Sequence, residues 1–168
     1  MAIVIKPPLE ISPVVSERNL KSMFLAGSIE MGVAEDWQTK VQNILKDTDI
    51  IVYNPRRDDW DSSWTQEISN PKFFEQVTWE LDHIDKSDYV VVYFDPTTKS
   101  PITLLELGIL AKTPEKVLVC CPEGFWRKGN VDIVCKRYGI SQVETPELFY
   151  DAIKALSKEI QQEKILEQ

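Results

Sequence analysis

The apolar positions of the chain fall into short runs separated by longer segments of mixed polarity. Residues 23–27 (MFLAG), 49–53 (DIIVY), 89–94 (YVVVYF) and 116–121 (KVLVCC) are nearly continuous apolar runs. This is the pattern of strands buried on both faces of a parallel sheet. Residues 140–143 form a last, shorter run. Between the runs lie segments with helical periodicity. Residues 34–46 place Trp37, Val41, Ile44 and Leu45 on one face. Asn70-Pro71 joins a capping residue to a first-turn proline. The helix it opens runs to about residue 84, with Phe73, Val77, Leu81 and Ile84 as its predicted apolar stripe. Further helices are predicted over 103–112, over 131–138 and for ~15 residues after Thr145-Pro146-Glu147, followed by a frayed tail at 163–168. Residues 1–22, which include Pro7, Pro8 and Pro13, read as an arm with room for a short strand. Strands alternating with helices at this spacing predict one domain over 1–168. Its expected fold is a flavodoxin-like or Rossmann-like three-layer α/β domain with a parallel five-stranded sheet.

Composition narrows the function. A chain of 168 residues can bury a sizeable core. The net charge of −8 argues against a nucleic-acid polymer as partner, which would need clustered Lys and Arg. A small nucleotide or nucleoside needs only a few local groups and remains compatible. The N-terminal MAIVIKPPLE has no basic region followed by a long apolar run, and no apolar run approaches the roughly 18 residues of a membrane span. Neither a signal peptide nor a membrane segment is expected, and the expected location is cytoplasmic. Cys120, Cys121 and Cys135 make neither a disulfide framework nor a metal spacing, and read as reduced core thiols. His83 is the single histidine. Ser-His-Asp and Cys-His mechanisms need an imidazole at the nucleophile, so carboxylates are the expected working groups. His83, in an amphipathic helix, reads as a surface or packing residue. With no G-x-G-x-x-G and no Walker sequence, dinucleotide and NTP binding have little support, and no cofactor or metal is expected.

Ligands of open α/β sheets bind outside the carboxyl ends of the strands. After the 89–94 run come Asp95-Pro96, a polar loop and Thr103-Leu-Leu-Glu106-Leu-Gly108, which places Glu106 where chemistry is expected. Thr103-x-x-Glu106 has the spacing of a capping box, in which the Glu bonds the cap residue's own N–H. Alternatively, Glu106 is a carboxylate at a helix N-terminus, facing the crevice and kept ionised by the helix dipole, as a nucleophile must be. The two readings are compatible, because one oxygen stays free after capping. Glu80 falls on or beside the predicted stripe, where an acid is costly unless paired or used. The plainer reading of Glu80 is a rim carboxylate that reaches solvent or an arginine. Gln76, one turn earlier, is placed to orient it. Residues 24–32 (FLAGSIEMG) combine a strand end, Gly-Ser and a helix start whose amides could receive an anion, or mere turn geometry. The loop 54–64 is long, charged and Trp-rich, as binding loops often are. Trp60, Trp64, Phe125 and Trp126 could stack on a base or close over a core edge.

Together these segments resemble the nucleoside 2-deoxyribosyltransferase family, over about residues 23–139. The motifs that carry the resemblance are FLAGSI, WELDHIDKSDYVVVYF and SPITLLELG, while NPRRDDWD and GFWRKGN resemble a second subgroup of that family. The resemblance implies that Glu106 attacks C1′ of a 2′-deoxynucleoside and holds the sugar as an ester. It implies that Glu80 protonates the departing base and that Gly27 and Ser28 line the sugar pocket. Asn130 matches a position that the family lends across a subunit boundary, which implies a homo-oligomer, a dimer or larger, with sites near the interface. Phe24, Asp59, Trp60, Gln76 and Ser100 complete the implied substrate-binding set. Phe24 stands where the family commonly has a Tyr bonded to the nucleophile. Ser100 stands where transferases acting on free nucleosides tend to have an Asp. A relative that hydrolyses deoxynucleoside 5′-monophosphates also has Ser there, so Ser100 with Ser28 is a candidate phosphate contact, against which Asp58, Asp59 and Asp95 count. The expected partners are a small nucleoside or nucleotide and a free nucleobase, with no nucleic-acid polymer and no membrane. Three readings follow: a deoxyribosyltransferase, an N-glycosidase acting on 5′-monophosphates, and a non-catalytic sensor that Phe24 keeps open.

Overall fold

The computed structural model describes residues 1–29 and 34–166. Six parallel strands form one sheet: β1 (Ile3–Ile5), β2 (Lys21–Gly27), β3 (Ile50–Tyr53), β4 (Tyr89–Tyr93), β5 (Val117–Cys120) and β6 (Ser141–Val143). Their order is β1-β3-β2-β4-β5-β6. The expected count of five is therefore corrected to six. The arm supplies the additional edge strand, with Ile3, Val4 and Ile5 in register with Ile51, Val52 and Tyr53. Without β1 the order is that of the flavodoxin-like sheet, whose switch point lies between β2 and β4.

Helices cover both faces. Alternation along each strand assigns one face to Phe24, Ala26, Val90, Val92 and Val119, packed with α3 (Pro71–Lys86), α4 (Pro101–Leu110) and α5 (Lys128–Tyr138). Met23, Leu25, Val91 and Tyr93 point to the other face, under α2 (Trp37–Leu45) and α6 (Pro146–Leu166). A short helix, α1 (Pro13–Ser16), belongs to the arm, whose Ile11 and Val15 extend the first core. Among the described residues, no helix is long and apolar enough to cross a membrane.

Four helices depart from expectation. On α3 the buried residues are Gln76, Trp79, His83 and Ile84, whereas Leu81 of the predicted stripe is exposed. The helix is rolled about its axis because its polar rings find partners. Trp79 Nε1 donates to Leu9 O at 2.8 Å, and His83 Nδ1 lies 2.6 Å from Trp79 O. His83 stacks on Trp79 and is fully buried, a packing residue. The helix α4 begins at Pro101, with Ser100 as its cap. Thr103 is therefore inside the first turn, and the expected capping box with Glu106 does not form. Asn130 lies in the first turn of α5 and not in a loop, and α6 is 21 residues long. The turn expected over 28–32 lies partly outside the described residues. All three cysteines are buried and free, as expected.

The switch point is tightly built. Gly27 has φ +154°, and a Cβ there would lie 2.4 Å from Tyr93 O and 2.8 Å from the Trp37 ring. Backbone and a packed indole cannot both give way. Gly27→Ala is expected to cost about 3 kcal/mol or more, read as a lowered urea midpoint. A midpoint within about 0.5 kcal/mol of wild type would show that β2 and β4 part more easily than this packing implies.

Candidate active site

Two loops meet where β2 and β4 end. Ser28, just past β2, is buried and its backbone N–H donates to Tyr93 O (3.0 Å). Its Oγ lies 2.6 Å from Ser100 Oγ and 2.9 Å from Thr98 Oγ1, and those two lie 2.8 Å apart. Asp95 N also donates to Ser28 Oγ (3.0 Å). Three buried hydroxyls thus close a triangle across the switch point. They hold Ser100 at φ 46°, ψ 52°, a left-handed conformation that costs a non-glycine residue about 1 kcal/mol or more. The Asp95 carboxylate accepts from Thr97 N (2.8 Å), Thr97 Oγ1 (2.6 Å) and Glu35 N (3.0 Å). Burial pushes Asp95 up, but these hydrogen bonds outweigh it and hold the carboxyl below its usual range. Asp95 is thus a loop-tying anion, and Thr98 is a site element that sequence reasoning did not single out.

Glu106 sits in the second turn of α4, 9 % exposed, and its Oε2 has no hydrogen-bond partner among the described residues. Glu80 lies part-buried on α3, where Gln76 Nε2 donates to its Oε1 (2.6 Å) and to Pro55 O (3.2 Å). Burial pushes the Glu80 carboxyl up to about 7, against the opposing bond from Gln76. Burial, and then the charge of Glu80, push Glu106 up to about 8. Burial thus works against the ionisation of Glu106 expected from the helix dipole. The residue lies past the free N–H groups of the first turn, and desolvation beside a second acid favours the proton. The charge of Glu80 thus disfavours ionisation of Glu106, and the two titrations are coupled.

The remaining positions scatter. Phe24 is fully buried, its ring 6.3 Å from Trp79. Asp59 is engaged by Arg57, whose Nε and Nη2 donate to its two oxygens at 2.6 and 3.3 Å. Arg57 also bonds Glu75 and lies over the Trp64 ring, so this loop is braced by a buried guanidinium. Trp60 is half-exposed, edge-on to Trp64. Phe125 closes the core edge against Phe94, while Trp126 is exposed between Lys99 and Arg127. Asn130 lines a groove of about 300 Å³ between α4 and α5, with Leu104, Leu107 and Arg127.

Fold and site together define a parallel α/β protein with two carboxylic acids buried near its switch point, an arrangement suited to acid-assisted displacement. Sequence comparison narrows the class: residues 20–125 match the family described as nucleoside 2-deoxyribosyltransferase like, and the chain belongs to that family. The matched segment contains Ser28, Gln76, Glu80, Ser100 and Glu106, whereas most of the arm and Asn130 lie outside it. Among solved structures, a conserved protein from Enterococcus faecalis V583 superposes with a TM-score of 0.56 at 15% identity, covering 81% of this chain and 98% of that one. At that identity the likeness shows the fold alone. No curated protein matches the chain.

The raised carboxyls carry a stability consequence with a definite sign. Their ordinary value is 4.5, so the unfolded chain releases these protons near there, and the folded chain only near 7 and 8. Between those limits the folded state binds more protons, and stability falls as pH rises. Glu106→Gln is expected to be more stable than wild type by about 2 kcal/mol near pH 9, with no gain near pH 4.5. Thermal unfolding across this range checks it. A variant less stable than wild type at the alkaline end contradicts the burial of an unpaired acid.

Proposed function

We propose that this protein cleaves the N-glycosidic bond of 2′-deoxynucleosides through a covalent glycosyl ester on Glu106 and transfers the deoxyribose to another base. The observation that carries the reading is the pair of buried acids near the switch point, both inside the family-matched segment. In the first step a Glu106 oxygen bonds to C1′ as the C1′–N bond breaks. The bonding pair leaves with the base, which takes its proton from Glu80. In the second step a nitrogen of the incoming base attacks C1′, the ester breaks, and Glu80 takes the proton back. The oxocarbenium-like transition state is stabilised by the negative charge of the Glu106 carboxylate facing C1′. Phe24, in place of a tyrosine, brings no hydroxyl to Glu106, whose Oε2 has no partner among the described residues. The partners of this reading are a nucleoside and a free nucleobase, with no cofactor. The subunits form a homo-oligomer through the α4–α5 face, a reading supported by the exposed Ile102, Leu105 and Ile133 around the Asn130 groove.

One arrangement favours a second reading, hydrolysis of a 5′-monophosphate. Lys99, next to Ser100, and Arg127 flank the Trp126 ring at 4.5 and 4.3 Å, a cationic spot beside the hydroxyl triangle in an acidic chain.

The test is chromatography of the protein with a 2′-deoxynucleoside and a different free base, and in parallel with the 5′-monophosphate. A new deoxynucleoside is expected, lost by a factor of about 10³ or more in Glu106→Ala. Its kcat/KM should rise and fall with pH about limbs near 7 and 8. Base released only from the monophosphate selects the second reading, and no product from either sinks both. A monomer mass by light scattering removes the oligomer.

A further inference from the structure

The amide of Gln76 is only half satisfied. Its Nε2 donates to two acceptors, Glu80 Oε1 and Pro55 O. That decides the orientation of the group, since turning it over would set an oxygen against two oxygens. Oε1 is thereby directed away from both. Gln76 is 5 % exposed, and no group among the described residues donates to this oxygen. An acceptor withdrawn from water without a donor is costly. Glu106 Oε2 is orphaned in the same way. The unmatched Gln76 oxygen, on the amide that bonds Glu80, points to a ligand that brings an N–H group.

We propose that Gln76 selects the base, its Oε1 accepting an N–H from the edge of the base that Glu80 protonates. The inference rests on the reading of Glu80 as the acid. The protein then presents a donor, the Glu80 O–H, beside an acceptor, Gln76 Oε1. The matching edge of a base has an acceptor next to a donor. Adenine has one in N7 and its N6 amino group, and thymine and uracil have one in O2 and N3–H. Beside the atoms that Glu80 must protonate, N7 of a purine or O2 of a pyrimidine, guanine and hypoxanthine set O6 and cytosine sets N3, so there each brings two acceptors and forces one against Oε1. The matched edges also fit the chemistry. N7 of a purine or O2 of a pyrimidine can take the Glu80 proton while the base receives the electron pair of the breaking C1′–N bond. Gln76 touches neither C1′ nor the moving proton and acts on specificity.

Titration calorimetry on the Glu106→Ala protein tests the assignment without turnover, using deoxyadenosine, thymidine, deoxyguanosine, deoxyinosine and deoxycytidine. Deoxyadenosine and thymidine are expected to bind about tenfold or more tighter than the other three. Adding Gln76→Met should bring all five within about threefold of one another, because the loss of the common Glu80 contact cancels in the ratio. Deoxyguanosine or deoxycytidine binding as tightly as deoxyadenosine overturns the proposal, as does discrimination that survives Gln76→Met, or no binding of any of the five. The panel with Gln76 intact decides the matter even where the methionine variant fails to fold. Wild-type base exchange, followed in parallel, reports on the enzymatic reading separately. The expected binding pattern without exchange keeps the selector and removes the transferase.

Discussion

Two carboxylic acids compete for protons in a part of the molecule that water barely reaches, and the rest of the site is arranged around that competition. In water each would ionise well below neutral pH. With Glu80 on α3 and Glu106 on α4 both withdrawn from water, both charges cannot be held at once without a large desolvation cost. Burial lifts Glu80 to about 7, and burial together with Glu80 lifts Glu106 to about 8. Two acids whose ionisation is coupled suit a reaction in which one must donate a proton and the other must attack. In the proposed reaction Glu80 gives its proton to the base while Glu106 attacks C1′ as the carboxylate.

Holding an unpaired acid in this way requires a rigid frame, and the chain supplies one from short-range features. Gly27 lets β2 approach the backbone of Tyr93 so closely that no side chain fits. Ser28, Thr98 and Ser100 then lock the two loops by their hydroxyls. Ser100 is held in a left-handed turn from which Pro101 starts α4. That turn sets the phase of the helix and hence the direction of Glu106. On the other side, Gln76 joins Glu80 to Pro55 at the end of β3. Glu80 is therefore tied to the end of a strand through Gln76, whereas Glu106 is placed by the packing of α4.

Much of this was legible in the sequence, and what was not has identifiable causes. The four main strands are continuous apolar runs and announce themselves. The edge strand Ile3–Ile5 has only three residues, half of it facing solvent, so hydropathy alone cannot separate it from a loop. The roll of α3 escaped because burial there follows hydrogen bonds: Trp79, His83 and Gln76 go inside with their polar atoms engaged, while Leu81 stays out. The start of α4 was misplaced because Thr103 and Glu106 have capping-box spacing. The stronger signal was Ser100-Pro101, a residue before a first-turn proline. Glu80 and Glu106 were found from the side chains themselves. Their protonation depends on distances across two helices that no local pattern encodes, and burial works against the helix-dipole expectation for Glu106. The hydroxyl triangle joins residues about 70 positions apart and is visible only in three dimensions.

The most direct measurement is a carbon-13 NMR titration of the Glu carboxyl groups, with Glu80→Gln and Glu106→Gln to assign the two signals. The account predicts two carboxyls still titrating in the region of pH 7 to 8, with removal of Glu80 lowering the midpoint of Glu106. Two signals that titrate independently at the ordinary value of 4.5 would contradict it, because the acids would then be neither buried nor coupled.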